Sequence, residues 1–183
     1  MGQYRNQHEL CAAWAAGQLP DGFGSCRTAT VLNDQLRYTG RGRGFGTIVA
    51  ARDQTGHLWI VQQHGNAWGG THKLASKVWR ALWSSSNTSG RCTHVTALCW
   101  DAQGRFDRLA TQRTHYRAQV AEFERQVERA PRLRKVNRLY IWKYLADTWH
   151  ALWALAAQVD EPLPALADAT RLAMLDAQIT DGS

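Results

Sequence analysis

No two of the four cysteines, Cys11, Cys26, Cys92 and Cys99, stand in a Cys-x-x-Cys pair. That spacing removes the compact zinc ribbon and the thioredoxin-like redox motif. The opening MGQYRNQHEL lacks a basic segment followed by an apolar run, so no secretory leader is expected and a reducing cytoplasm is the indicated location. No internal repeat recurs at any period, and nothing is of low complexity apart from GRGRGFG at residues 40–46. Long uninterrupted apolar runs are missing too. The most apolar stretch, Leu139 to Trp153, is broken by Lys143, Asp147 and His150, which a bilayer core penalises, so no membrane partner is expected.

The signatures of catalysis are equally scarce. The glycines at 40, 42, 44 and 46 do not give Gly-x-Gly-x-x-Gly, and no Gly-Lys-Ser/Thr follows, so a nucleotide loop is excluded. There is no Gly-x-Ser-x-Gly elbow, no His-Glu-x-x-His helix and no paired carboxylates. His64, His72, Cys92, His94 and Cys99 offer donor types that zinc accepts, but their spacing matches no compact ligand pattern. In strands, His94 and Cys99 point to opposite faces. No catalytic residue, metal or cofactor is therefore expected, and a metal-dependent or Cys/His hydrolase ranks third among the functional readings.

What is present is a chain of 183 residues, 44% apolar and 20% charged, enough to bury a sizeable core. Nine tryptophans are many for this length, and their indole N–H groups favour core boundaries and interfaces. The net charge is +7 and unevenly spread. Residues 61–112 hold 6 basic and 2 acidic groups and residues 113–138 hold 8 and 3, whereas residues 139–183 hold 2 and 6. Such asymmetry marks a surface that faces a polyanion.

Apolar periodicity and turn residues predict an α+β fold. A short helix over QYRNQHELCAAWAAGQ leads to an antiparallel sheet of about six strands in three hairpins: CRTATVL with QLRYT, GTIVAAR with HLWIVQQ, and CTHVTALCWDAQGRFDRLATQ turning at Asp101–Gly104. TIVAA and LWIVQ are apolar on consecutive residues, so both faces of the sheet are expected to be covered there. Between the second and third hairpins, THKLASKVWRALWSS places Leu74, Ala75, Val78, Trp79, Leu82 and Trp83 on one half of a helix and Lys73, Lys77 and Arg80 on the other. The preceding HGNAWGGT, with Thr71 as N-cap, leaves backbone N–H groups free to receive an anion. The last third reads as a helical hairpin: a seam of Tyr116, Val120, Phe123, Val127 and Ala130, then a helix from Pro131 to Val159. A short amphipathic helix closes the chain.

Two regions follow: a sheet domain over residues 1–112 and a helical extension over 113–183, packed as one domain or joined to a second copy through the Trp-rich helix as a homodimer. Three basic clusters carry the functional expectation. Arg41 and Arg43 sit in the glycine-rich loop, where the backbone can approach phosphates closely. Lys73, Lys77 and Arg80 line the helix, and Arg132, Arg134, Lys135 and Arg138 crowd a helix start, where positive charge is unfavourable unless an anion offsets it. Glu124 and Glu128 on the preceding helix are the internal alternative. The leading reading is non-catalytic binding of DNA or RNA through phosphate contacts without sequence specificity, since no short base-reading helix is present. The alternative is a protein-interaction module, an inhibitor or accessory subunit that docks on nucleic-acid-handling machinery, motivated by the tryptophans and the acidic C-terminal quarter.

Overall fold

The computed structural model describes residues 2–19, 23–40, 46–62, 70–84 and 92–179. The chain divides into two compact units, Met1–Thr111 and Gln112–Ser183. The first is a seven-stranded sheet in sequential order: β1 (Gly2–Gln3), β2 (Gly24–Cys26), β3 (Ala29–Leu32), β4 (Gln35–Tyr38), β5 (Thr47–Arg52), β6 (Leu58–Val61) and β7 (Cys92–Val95). Helix α1 (Gln7–Ala15) connects β1 to β2, and α2 (Gly70–Ser84) connects β6 to β7.

The α+β class is as expected, but the sheet is mixed instead of antiparallel. Strands β2 to β6 pair antiparallel, whereas β1 with β2 and β6 with β7 pair parallel. In both parallel pairs an intervening helix carries the chain back to the starting edge, as a parallel connection requires. The third hairpin is therefore replaced. Its Asp101–Gly104 turn forms, but the turn closes only a single bridge between Trp100 and Phe106. The return strand is absent because Asp107 caps a helix: its Oδ1 accepts the Ala110 N–H at 2.9 Å, and α3 (Arg108–Arg129) starts at the next residue.

Local chemistry explains the two hairpins that do form. Asn33 and Asp34 have φ of 49° and 58°, the doubly positive turn whose twist matches flanking antiparallel strands. In the β5–β6 turn, Asp53 accepts from the Thr55 N–H and hydroxyl, the His57 N–H and the Trp59 indole at 2.6–3.0 Å. Burial raises the Asp53 pKa, but these four hydrogen bonds outweigh it and hold the carboxyl below its usual range.

Helices α1 and α2 cover one face of the sheet. Leu10, Cys11 and Trp14 of α1 and Leu74 and Val78 of α2 pack on Val31, Leu36, Ala50, Leu58 and Ile60. Asn6 starts α1 by accepting from the His8 and Glu9 N–H groups, and the helix ends at Gly17 with φ of 70°. Trp59, on the opposite face, is only 2% exposed. Phe106 packs 5.7 Å from it, and the Arg108 guanidinium lies 5.6 Å over its ring. Both faces are covered along the centre of the sheet, as the consecutive apolar residues of β5 and β6 require.

The second unit is an antiparallel pair of helices with a third against it: most of α3, then α4 (Lys135–Val159) and α5 (Asp168–Ile179). Tyr116 and Phe123 of α3 meet Leu145, Leu152 and Val159 of α4 and Met174 of α5. The Tyr116 hydroxyl donates to the Pro162 carbonyl at 2.6 Å, and Arg113 Nε donates to the Val159 carbonyl at 3.1 Å. Pro131 does not open α4. It belongs to a 3-10 turn over Ala130–Arg132, and Leu133 and Arg134 are extended, with ψ of 156° and 150°, so the helix begins at Lys135. Within the Trp-rich helix, Trp142 and Trp149 pack inward while Trp153 is 61% exposed. Among the described residues no helix is long and apolar enough to cross a membrane.

Candidate functional site

Helix α2 has an apolar side and a basic side: Leu74, Val78 and Ala81 are buried, while Lys73 and Arg80 are exposed on the opposite side. Lys77 shares their stripe but not their surroundings. Its ammonium donates to Gln7 Oε1 at 2.7 Å and is partly buried, so it ties α2 to α1. Of the three, Lys73 and Arg80 are the exposed ones. No Asp or Glu occurs anywhere from residue 54 to residue 100, the segment that builds β6, α2 and β7. This acid-free run is the strongest charge signal in the chain, finer than the balance over 61–112.

The same segment forms a cleft of about 320 Å³ between α2 and the parallel strands β6 and β7. Among the described residues its walls include Ile60 and Gln62 from β6 and its end, Ser76, Trp79 and Arg80 from α2, and His94 from β7. Parallel strands joined by a helix leave such crevices beside the strand ends. Trp79, expected on the packed side of α2, is 39% exposed at the cleft wall. Its ring meets the His94 imidazole edge-to-face at 4.9 Å and 79°. The His94 Nε2 is buried without a hydrogen-bond partner, and burial lowers the imidazole pKa, so this side chain is neutral at pH 7. Trp79 and His94 were not legible as a pair, because only the parallel β6–β7 register sets β7 beside α2.

The remaining basic clusters are separate. Arg41 and Arg43 lie outside the described residues, as do His64 and the side chains of His72 and Lys135. The glycines that frame the loop do have a structural cause: a Cβ on Gly46 would sit 2.6 Å from the Tyr38 carbonyl oxygen, and Gly40 and Gly46 have φ of 62° and 69°. Arg132, Arg134 and Arg138 belong to the helical unit and are exposed around the 3-10 turn and the start of α4. Among the described residues none of the three forms an ion pair with Glu124 or Glu128; the Arg138 guanidinium donates instead to the Leu133 carbonyl at 3.0 Å. Glu122 is the carboxylate that pairs nearby, with Arg125 at 2.7 Å.

Among the described residues no group of three or more His, Cys, Asp or Glu could hold a metal ion. The nearest arrangement to a base and nucleophile is His57 Nε2, 2.8 Å from Thr93 Oγ1. Asp53, the carboxylate that would orient such an imidazole, commits its oxygens to Thr55, the His57 backbone N–H and Trp59. The pair therefore fixes β7 to the end of the β5–β6 turn. Compared with models of known protein families, with curated proteins and with solved structures, the chain matches none.

Proposed function

We propose that this protein binds nucleic acid through its phosphate backbone, without catalysis and without sequence readout. The observation that carries the reading is the acid-free segment from residue 54 to residue 100, which presents Lys73 and Arg80 on the exposed side of α2. Arg132, Arg134 and Arg138 supply a second basic surface whose charge Glu124 and Glu128 do not neutralise by ion pairing. The four cysteines are all free thiols, which fits a reducing compartment such as the cytoplasm. Binding of a labelled single strand and a labelled duplex across a salt series tests the proposal. For duplex the log-log slope scales as about 0.9 per phosphate neutralised, so Lys73→Glu with Arg80→Glu should flatten it by roughly 2. Binding that ignores salt would remove the reading.

A second reading is favoured by the outer side of the helical unit, where Leu172, Leu175 and Ile179 of α5 are 60%, 54% and 72% exposed. An apolar stripe of this kind marks a protein interface, and the partner it fits is a second copy of the chain. Residues 113–138 carry 8 basic and 3 acidic groups and residues 139–183 carry 2 and 6, so the helical unit holds both signs of charge with which a second copy can be complemented.

A further inference from the structure

Helix α4 turns Leu145, Leu152, Ala156 and Val159 into the core of the helical unit and leaves the opposite half of its circumference exposed. That outer face is sorted by size along the helix. Its first part is large: Leu139, Tyr140 and Tyr144 are 44%, 70% and 54% exposed. Its last part is small, with Ala151, Ala154 and Ala157 all exposed, and Asp147 and His150 stand between the two parts. Trp153, 61% exposed, lies at the margin of the face, roughly 100° around the helix from its centre. The α5 stripe of Leu172, Leu175 and Ile179 is too small to hold two copies together alone, since a stable interface uses about 20–30 residues a side. The outer face of α4 belongs to the same unit and supplies further apolar and aromatic surface.

A face that meets only solvent needs no sorting by size, but a face that meets its own copy does. If two α4 helices ran parallel, tyrosine would meet tyrosine, alanine would meet alanine, and the two Asp147 carboxylates would oppose each other. Run antiparallel, with a two-fold axis level with Thr148, the large part of each helix lies over the small part of the other. Tyr144 then covers Ala151 of the second copy, and Leu139 covers Ala157. Large side chains set against small ones fill the space between two helices without voids. Asp147 of one copy comes within a turn of His150 of the other, a hydrogen-bond acceptor beside a donor. We infer that two copies of this chain associate through the outer faces of α4, antiparallel about that axis. The inference rests on the second-copy reading above and deepens it, by naming the seam and its direction. Such a contact is isologous and closed, so the pair covers both faces at once and adds no third copy through them.

The test places cysteines at both ends of the face, Leu139→Cys with Ala157→Cys, in the full chain. Diamide is the oxidant, and the wild type controls for the four native thiols. In the antiparallel pair position 139 of one copy lies over position 157 of the other, whereas either position is roughly 27 Å along the helix from its own counterpart. A disulfide needs Cα atoms within about 7 Å. The expected result is a covalent dimer in the double variant, linked 139 to 157 by peptide mass mapping, with no such product from either single variant. Both positions are exposed, so the reduced double variant should melt within a few degrees of the wild type. A single variant that links to itself at position 139 or 157 would overturn the antiparallel seam. So would a wild type that is dimeric in light scattering while its double variant forms no 139–157 link, and the second-copy reading would then stand without it. A wild type that stays monomeric at high concentration would overturn both.

Discussion

Asp53 shows how much one carboxylate does in this fold. It closes the β5–β6 turn with two backbone N–H groups and one hydroxyl, and it satisfies the indole of Trp59, a side chain only 2% exposed. Removing it leaves that indole without its partner in a buried site, a loss of about 1–3 kcal/mol. Asp53→Ala should therefore lower stability by that amount in urea unfolding, and an unchanged midpoint would contradict the account. His57 and His94 make a second residue-scale prediction. Burial, above all, holds both imidazoles below their ordinary value; at His57 the Asp53 charge opposes this and Arg108 adds to it. The unfolded chain therefore takes up these protons at a higher pH than the folded one. The contribution is fully present above the unfolded pKa of about 6.5 and is lost as pH falls through the lower folded value. Thermal unfolding at about pH 7.5 and about pH 5.5 should show lower stability in the acid, with a smaller difference in His57→Gln. Sequence alone showed Asp53 as part of a turn. It did not show the indole as a fourth partner, since that bond needs Trp59 on the same side of the finished hairpin.

Among the elements, those set by local signals were legible and those set by distant pairing were not. The Asn33–Asp34 turn, the glycine after α1 and the apolar stripe of α2 are decided within a few residues, so the two central hairpins and both helices of the first unit could be read directly. The parallel partners β1 and β7 could not. Gly2–Gln3 is too short to carry a pattern, and Cys92–Val95 pairs with β6 only because α2 carries the chain back across the sheet. At Asp107 two local readings compete: the residue can continue a turn or cap a helix, and its bond to the Ala110 N–H decides for the helix. On α5, the inner Met174 and Ala177 are buried, while Leu172, Leu175 and Ile179 face outward. Leu175→Asp with Ile179→Asp should leave the melting temperature within a few degrees, because neither side chain is packed, and should convert a dimer to a monomer in a light-scattering mass measurement. A wild-type monomer at high concentration would contradict self-association.

For the whole molecule the decisive property is the distribution of charge. Electrostatic attraction works at range and needs no shaped pocket, which is why a polyanion partner can be proposed from the charge distribution alone. The cleft beside α2 was not readable, because it arises only where α2, the end of β6 and His94 of β7 come together. Segregation of acid also has an internal use: Glu161 pairs with Arg117 at 2.6 Å and so joins the acidic C-terminal region to α3 within the helical unit. The outer cations of α2 have no acidic residue within their own segment, from residue 54 to residue 100. The most direct test of the central claim is the salt dependence of wild-type binding to a labelled oligonucleotide, set beside Lys73→Glu with Arg80→Glu. The account predicts a steep negative log-log slope that becomes shallower by roughly 2 on duplex in the double variant. A wild-type protein that fails to bind at low salt, or a slope the double variant leaves unchanged, would contradict it.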